Sequence, residues 1–421
     1  EESEVPPIPL FRTCIHNHKI FQRGRPAKDP LRRCRTVVNT GSYTTKEGEL
    51  RMLCDALYLH IPFCLRKCPY CDFYSVGADP SLMDAYTRAV LDALAQVPFD
   101  LAPLDTVYFG GGTPSVLGGE RLVRLLNGVR SRFGIRSDAE VTIECNPCSA
   151  LPDTLARLWD AGANRLSLGM QSADDQQLVR LGRMHTIASV RDAVDAAYRV
   201  GFSHLSLDLM LATPGQTLPD IDRAANLCAE VGAEHVSAYL LKIEPDTPFG
   251  REGAASRCPD EDGQADAYLH AVETLEQRGY QQYEISNFAR DGRIARHNCK
   301  YWDCREYLGI GPSAHSFIGG RRRYFPRDLR GFLEAPDKFA LLRDDGPGGD
   351  TEEYLMLRLR LTEGVTWDAL ASRFPGFDPT PLHEKARPLQ KGGLLFCDED
   401  GLRLTPSGFL LSNFVIGELL L

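Results

Sequence analysis

Long apolar runs are missing from this 421-residue sequence. No segment reaches the roughly 18 uninterrupted apolar residues that a membrane-spanning helix needs. An excess of positive charge is missing too. Lys and Arg total 48 against 57 Asp and Glu, a net charge of −9, which removes the usual electrostatic basis for general nucleic-acid binding. No secretory pattern opens the chain: residues 1–12 (EESEVPPIPLFR) are acidic and proline-rich. The 13 cysteines are an odd number and most stand singly, which excludes a secreted disulfide scaffold. A reducing cytoplasm is the expected compartment, with clustered cysteines as metal or redox candidates. What remains is an ordinary globular composition, 43% apolar and 25% charged, in a chain long enough for about two domains.

Residues 1–50 stand apart as an extension, expected to be poorly ordered or loosely docked. They carry a basic run, FQRGRPAKDPLRRCR (21–35), and little apolar periodicity. The run reads as a solvated tail, a contact for an acidic partner, or a peripheral contact with an anionic membrane surface. Cys14, His16, His18 and Cys34 match no zinc spacing. From residue 56 short apolar segments (ALYLHI, TVYF, VTIEC, RLSLGM, HLSLDLM, HVSAYLL) alternate with amphipathic stretches at 81–97, 119–133, 152–161, 188–200 and 218–231. This rhythm predicts parallel βα units over 51–250, an α/β protein with a partial or full barrel. Chemistry then belongs at the C-terminal ends of the strands. Cys64, Gly110–Thr113, Glu144, Gln171 and Asp208 all fall there.

After residue 250 the rhythm fades. Residues 251–343 are expected to complete the barrel, and DDGPGGD (344–350) reads as a linker. Residues 344–421 then form a small C-terminal α/β, winged-helix-like domain, in which LLFCDEDGLRLT suggests a hairpin.

The densest chemistry lies in HIPFCLRKCPYCDFYS (60–75), with cysteines at 64, 68 and 71. A structural zinc site uses four ligands. Three thiolates on one loop suit three irons of a [4Fe–4S] cube, leaving the fourth iron for an outside ligand. A zinc site completed by His60 or Asp72 is the alternative.

The Cys-x3-Cys-x2-Cys spacing, with Tyr70 before the third cysteine, resembles the radical S-adenosylmethionine (SAM) superfamily. That resemblance implies a partial (β/α)6 barrel and SAM chelating the open iron. Cleavage of SAM would then give a 5′-deoxyadenosyl radical, chemistry that belongs to the cofactors. It also implies SAM contacts from Tyr58, Tyr70, Gly111, Gly112, Thr113, Glu144, Gln171, Arg183 and Asp208. Glycines admit close backbone approach. A carboxylate at Glu144 suits the ribose diol, and the Arg183 fork suits the SAM carboxylate.

Further segments (YFGGGTPSVL, ECNP, AGANRLSLGMQS, IEPDTPF, EISNFAR, HNCKYW, EYLGIGPSAHSF) are similar to the HemN/HemW group, which holds oxygen-independent coproporphyrinogen III dehydrogenases and haem chaperones. The dehydrogenase loop reads CxxxCxxCxC; here the last of those positions is Phe73. HNCKYW (297–302) matches the HNxxYW signature of the chaperone branch. It implies haem binding through His297, Asn298, Tyr301 and Trp302, with His297 as a candidate iron ligand and the aromatics as flat faces for a porphyrin. His315 would border the same site. Two segments depart from the group: YGLPGQT reads LATPGQT (211–217), and GAGAHG reads GPSAHS (311–316).

The resemblance therefore implies a haem chaperone that uses a [4Fe–4S] cluster, SAM and haem. Its partners would be apo-haemoprotein recipients, an electron donor where SAM is cleaved, and no nucleic acid; a homodimer stays open. The alternatives are a coproporphyrinogen III dehydrogenase and a radical SAM methylase of haem breakdown.

Overall fold

The structure, a computed structural model, describes residues 54–420. The expectations placed on residues 1–50 lie outside the described residues.

Six parallel strands carry the βα rhythm: β1 (Cys54–Ile61), β2 (Leu101–Gly111), β3 (Ile135–Cys145), β4 (Arg165–Gln171), β5 (His204–Leu211) and β6 (His235–Leu240). They stand side by side in chain order. Between them run α1 (Pro80–Gln96), α2 (Gly119–Phe133), α3 (Pro152–Asp160), α4 (Ile187–Val200) and α5 (Leu218–Glu230). Each lies within a residue of its expected bounds, because the ends carry recognisable signals. Asp79 caps α1 through Leu82 N, Thr186 closes a capping box with Ser189 at α4, and Gly201 ends α4 in the left-handed region.

A sixth helix, α6 (Glu261–Gln277), packs on α5. Then β7 (Asn287–Ala289) pairs antiparallel with β6. The short helix α7 (Arg296–Trp302) holds HNCKYW. Finally β8 (Leu308–Ile310) pairs in parallel with β1, Leu57 opposite Leu308.

Strand parity divides the barrel. Leu57, Leu59, Val107, Phe109, Ile143, Leu166, Leu168, Leu207 and Val236 are fully buried in the core shared with the helices. The alternate positions, including Tyr58, Tyr108, Glu144, Ser167, Asp208 and Ser237, are polar or aromatic. An α/β barrel filled by apolar layers needs no such residues; this interior is lined by polar and aromatic side chains.

DDGPGGD is not only a linker. Arg343–Pro347 forms the third strand of an antiparallel sheet with His315–Ile318 and Arg321–Tyr324. The glycines and acids hid a strand whose pairing comes from neighbours rather than from its own composition. Beyond it, a three-stranded sheet (Val365–Thr366, Gly401–Leu404, Leu395–Cys397) is backed by helices such as Thr380–Lys391, and the expected hairpin is Leu395–Leu404.

Candidate functional site: the cysteine loop and the barrel mouth

The cysteine loop leaves β1 and is closed by backbone pairing of Phe63–Cys64 with Val76–Gly77. The glycine loop after β2 docks directly on it: Gly112 N donates to Ile61 O at 2.8 Å and Thr113 N to Phe63 O at 2.7 Å. A Cβ on Gly112 would lie 2.7 Å from Phe63 O, and Gly111 has φ +114° with the His60 ring where a Cβ would sit. Both positions therefore demand glycine. Thr113 Oγ1 lies 3.5 Å from Cys64 Sγ.

Arg183 brings the far side of the barrel to the loop. Its Nη1 reaches Cys68 Sγ at 3.4 Å and its Nη2 donates to Gly169 O at 2.8 Å. Its buried Nε has no hydrogen-bond partner. Tyr70 is packed among Leu181, Leu241 and Phe249, and Phe249 N donates to Pro69 O at 2.9 Å. Burial raises the Tyr70 phenol well above its ordinary pKa and the Cys71 thiol to about 11. A metal must displace that thiol proton.

Glu144 stands at the end of β3. Tyr108 Oη donates to its Oε1 at 2.8 Å and Gly111 N to its Oε2 at 3.1 Å. Burial, opposed by the Tyr108 hydrogen bond and aided by Asp208, lifts the Glu144 carboxyl to about 7. Asp208, on β5, accepts from Ser167 Oγ at 3.1 Å, and burial lifts it to about 6. Gln171 ends β4 with φ +69°, and its side chain lies with the Arg183 guanidinium beside Gly169. Tyr58 bonds His60 Nδ1 at 3.1 Å.

The zinc alternative does not fit. His60 Nε2 is 3.0 Å from Tyr74 O, and burial holds the ring neutral, its pKa down to about 4. Asp72 faces Arg327 at 3.5 Å. Among the described residues no three His, Cys, Asp or Glu side chains converge on a point where one ion could sit. A cube instead takes one thiolate at each of three separate irons, which suits three spread thiols on one loop. The unpartnered Nε of Arg183 is a donor that suits a carboxylate beside that loop.

HNCKYW sits elsewhere. Glu140, on β3, accepts from Arg296 N (3.0 Å) and His297 N (2.9 Å) at the start of α7. Lys300 is buried between Asp55 (2.6 Å) and Asp105 (2.8 Å). These partners lie toward the N-terminal ends of β1, β2 and β3, so α7 plugs the barrel opposite the cysteine loop. His297 is 0% exposed. Its Nδ1 bonds Thr106 Oγ1 at 2.8 Å and its Nε2 bonds Tyr301 Oη at 2.7 Å. Both ring nitrogens of His297 are thus engaged within the fold, and burial holds its pKa at about 3. Tyr301 packs on Tyr307 with ring centroids 4.5 Å apart, and Trp302 is buried with the Arg360 guanidinium 5.9 Å from its ring. Asn298 is half-buried on the same helix.

Residues 58–228 match the Radical SAM superfamily model and residues 350–411 the HemN C-terminal domain model. The heme chaperone HemW of Mycobacterium tuberculosis is 37% identical over 376 residues, covering 86% of this chain and 94% of that one. The chain belongs to the HemW family of radical SAM proteins. A bovine relative, the mitochondrial radical S-adenosyl methionine domain-containing protein 1, is 33% identical over 96% of this chain and 92% of its own. The solved structure of coproporphyrinogen III oxidase HemN from Escherichia coli, a radical SAM enzyme, superposes with a TM-score of 0.77 at 23% identity, covering 87% of this chain and 90% of that one; that likeness is one of fold. A radical SAM domain carries a [4Fe–4S] cluster and SAM.

In this HemW-family chain the sequence-derived cysteines and SAM candidates meet at one barrel mouth, and the HNxxYW residues form a separate plug. Phe73, half-exposed, stands where the dehydrogenase loop has its further cysteine. Sequence reasoning missed Tyr108 and Glu140. Tyr108 had a signal: it shares strand parity with Gly110 at the start of the glycine loop. Glu140 had none, since its partners are backbone amides 156 and 157 residues away.

Proposed function

We propose that this protein is a haem chaperone that holds a [4Fe–4S] cluster on Cys64, Cys68 and Cys71, binds SAM at the same barrel mouth, and hands haem to apo-haemoproteins. The observation that carries this reading is the three-thiol loop with Phe73 at the dehydrogenase's further cysteine position, in a chain of the HemW family. When bound, the cluster and SAM supply a one-electron route to a carbon radical; an electron donor is a partner only where that route is used.

The chain's own residues have distinct tasks. Arg183 directs a guanidinium beside Cys68, able to hold a carboxylate in a bidentate pair. Gly111, Gly112 and Thr113 bring backbone against the loop. Glu144 accepts the ribose hydroxyls once ionised, and Tyr108 fixes its orientation. Tyr58, Tyr70, Gln171 and Asp208 complete the wall. Every described cysteine is a free thiol, which supports a reducing compartment such as the cytoplasm. No described helix is long and apolar enough to cross a membrane.

The test is anaerobic. The cluster is reconstituted, and the protein is given SAM, reductant and coproporphyrinogen III, while haem is titrated in parallel. Equimolar haem binding without decarboxylation is expected. Catalytic formation of protoporphyrinogen would overturn the chaperone reading.

A further inference from the structure

A cavity of about 260 Å³ opens at the end of the barrel opposite the cysteine loop. Asp55, Arg305 and Glu306 form its barrel wall, Phe317 and Gly348 its wall beside the antiparallel sheet, and Arg373 its wall on the C-terminal domain. No residue of the cysteine loop, the SAM wall or HNCKYW lines it. It is therefore a junction of three units, distinct from the site at the barrel mouth.

Two charges on its walls have no opposite charge paired with them among the described residues. Arg373, exposed at the end of helix Trp367–Arg373, donates from Nη2 to the Cys304 carbonyl at 2.9 Å and forms no ion pair there. Glu306 accepts from Gly320 N at 3.0 Å and forms none either. Arg305, between them in the wall, is already held by Asp55 at 3.1 Å. Arg373 and Glu306 differ in sign, yet they do not pair with each other. An occupant that answers both must carry both signs. Phe317 is buried, with the Arg322 guanidinium 4.3 Å from its ring, and adds an apolar surface.

The chain itself supplies such an occupant. The described residues begin at Cys54, and Asp55 is in the cavity wall, so the residues before them join β1 at the cavity rim. The register of Leu57 with Leu308, carried back two places, sets Asp55 beside Glu306. The sequence immediately upstream is KEGELRML (46–53), with charges of both signs and apolar Leu50, Met52 and Leu53. At about 3.3 Å per extended residue, eight residues span about 26 Å. We propose that residues 46–53 continue β1 into this cavity, with Arg51 on Glu306 and Glu49 on Arg373. In an extended chain alternate side chains share a face, so Glu49 and Arg51 fall on the side of Asp55. A single exposed ion pair contributes little; two of opposite polarity fix the register of the segment. The segment thereby ties the C-terminal domain to the barrel at the end opposite the cysteine loop.

The experiment uses the full chain. An Arg51→Lys protein treated with a water-soluble carbodiimide is expected to form an amide between position 51 and Glu306, found by mass spectrometry as a link within one chain. A mixture of isotope-labelled and unlabelled chains identifies the occupant. A link of mixed mass would assign the cavity to a second copy and overturn the proposal, and so would the absence of any link. Hydrogen exchange is the second readout. Arg373→Glu is expected to speed exchange at residues 304–306 and 348–349 by about threefold or more, and Arg373→Glu combined with Glu49→Arg to restore the wild-type rate. Unchanged exchange in the first variant, or no restoration in the second, would also overturn it. Haem binding is expected at the wild-type level in all three proteins, so failure here leaves the chaperone reading intact.

Discussion

The ring of Tyr108 lies nearly parallel to the imidazole of His297, with centroids 5.2 Å apart and planes 27° from one another. The same Tyr108 donates its hydroxyl to Glu144. One residue therefore touches the plug at one end of the barrel and the Glu144 carboxylate at the other. His297→Ala removes two buried hydrogen bonds and the stacked ring, and should cost about 2–4 kcal/mol of stability. It should also weaken SAM binding, because Tyr108 loses its support. Urea unfolding and calorimetric SAM titration check the two effects. Haem affinity of the same variant checks the expected haem role of His297: a large loss would support it, and wild-type affinity would overturn it.

The proposed role of Glu144 in holding SAM predicts pH-dependent binding. Its folded-state pKa is raised to about 7, chiefly by burial. Only the ionised form can accept from both hydroxyls of a ribose, so affinity should rise as pH goes up through 7 and fall as pH drops below it. Titrations at pH 6 and 8 should differ several-fold. Glu144→Gln should bind more weakly at pH 8 and show a flatter profile.

Cys68→Ala removes one of three thiols and the sulfur that Arg183 contacts at 3.4 Å. Reconstituted protein should lose the [4Fe–4S] absorbance and most of its iron. An intact cluster in that variant would mean the ligands lie elsewhere.

Ala212 and Ser313 replace glycines of the HemN/HemW pattern, and both have left-handed backbone, with φ +54° and +71°. A side chain there costs about 1 kcal/mol or more. Glycine brings its own entropic cost and, at buried Ala212, removes a methyl. Ser313→Gly should stabilise by up to about 1 kcal/mol in urea unfolding, whereas at Ala212 the lost methyl and the entropic cost offset the relief and the change should be close to zero.

The sequence was most legible where the signal was local. Caps and apolar periodicity defined α1 to α5, and strand ends marked Cys64, Glu144 and Asp208 before any coordinates. Pairings made at a distance were not legible. Arg343–Pro347 is rich in acid and glycine, and its strand comes from its neighbours' hydrogen bonds. HNCKYW reads in the sequence as a haem-associated loop, because its histidine and aromatics suit a porphyrin. Only the fold shows Glu140 and Thr106 consuming those polar groups, and Asp55 and Asp105 enclosing Lys300. Motif position along the chain could not reveal that the two functional-looking segments lie at opposite ends of one barrel.

Pairing of β8 with β1 sets an order of events during synthesis. Leu308 must find Leu57, about 250 residues back, long after the first five βα units have left the ribosome. Until then β1, the strand that feeds the cysteine loop, has one unpaired edge. Iron delivered early would meet an open barrel, whereas iron delivered late must enter through the mouth. The nascent chain thus passes through a window in which its metal loop is attached to an unfinished, aggregation-prone sheet edge, and closure by three residues, Leu308–Ile310, ends it.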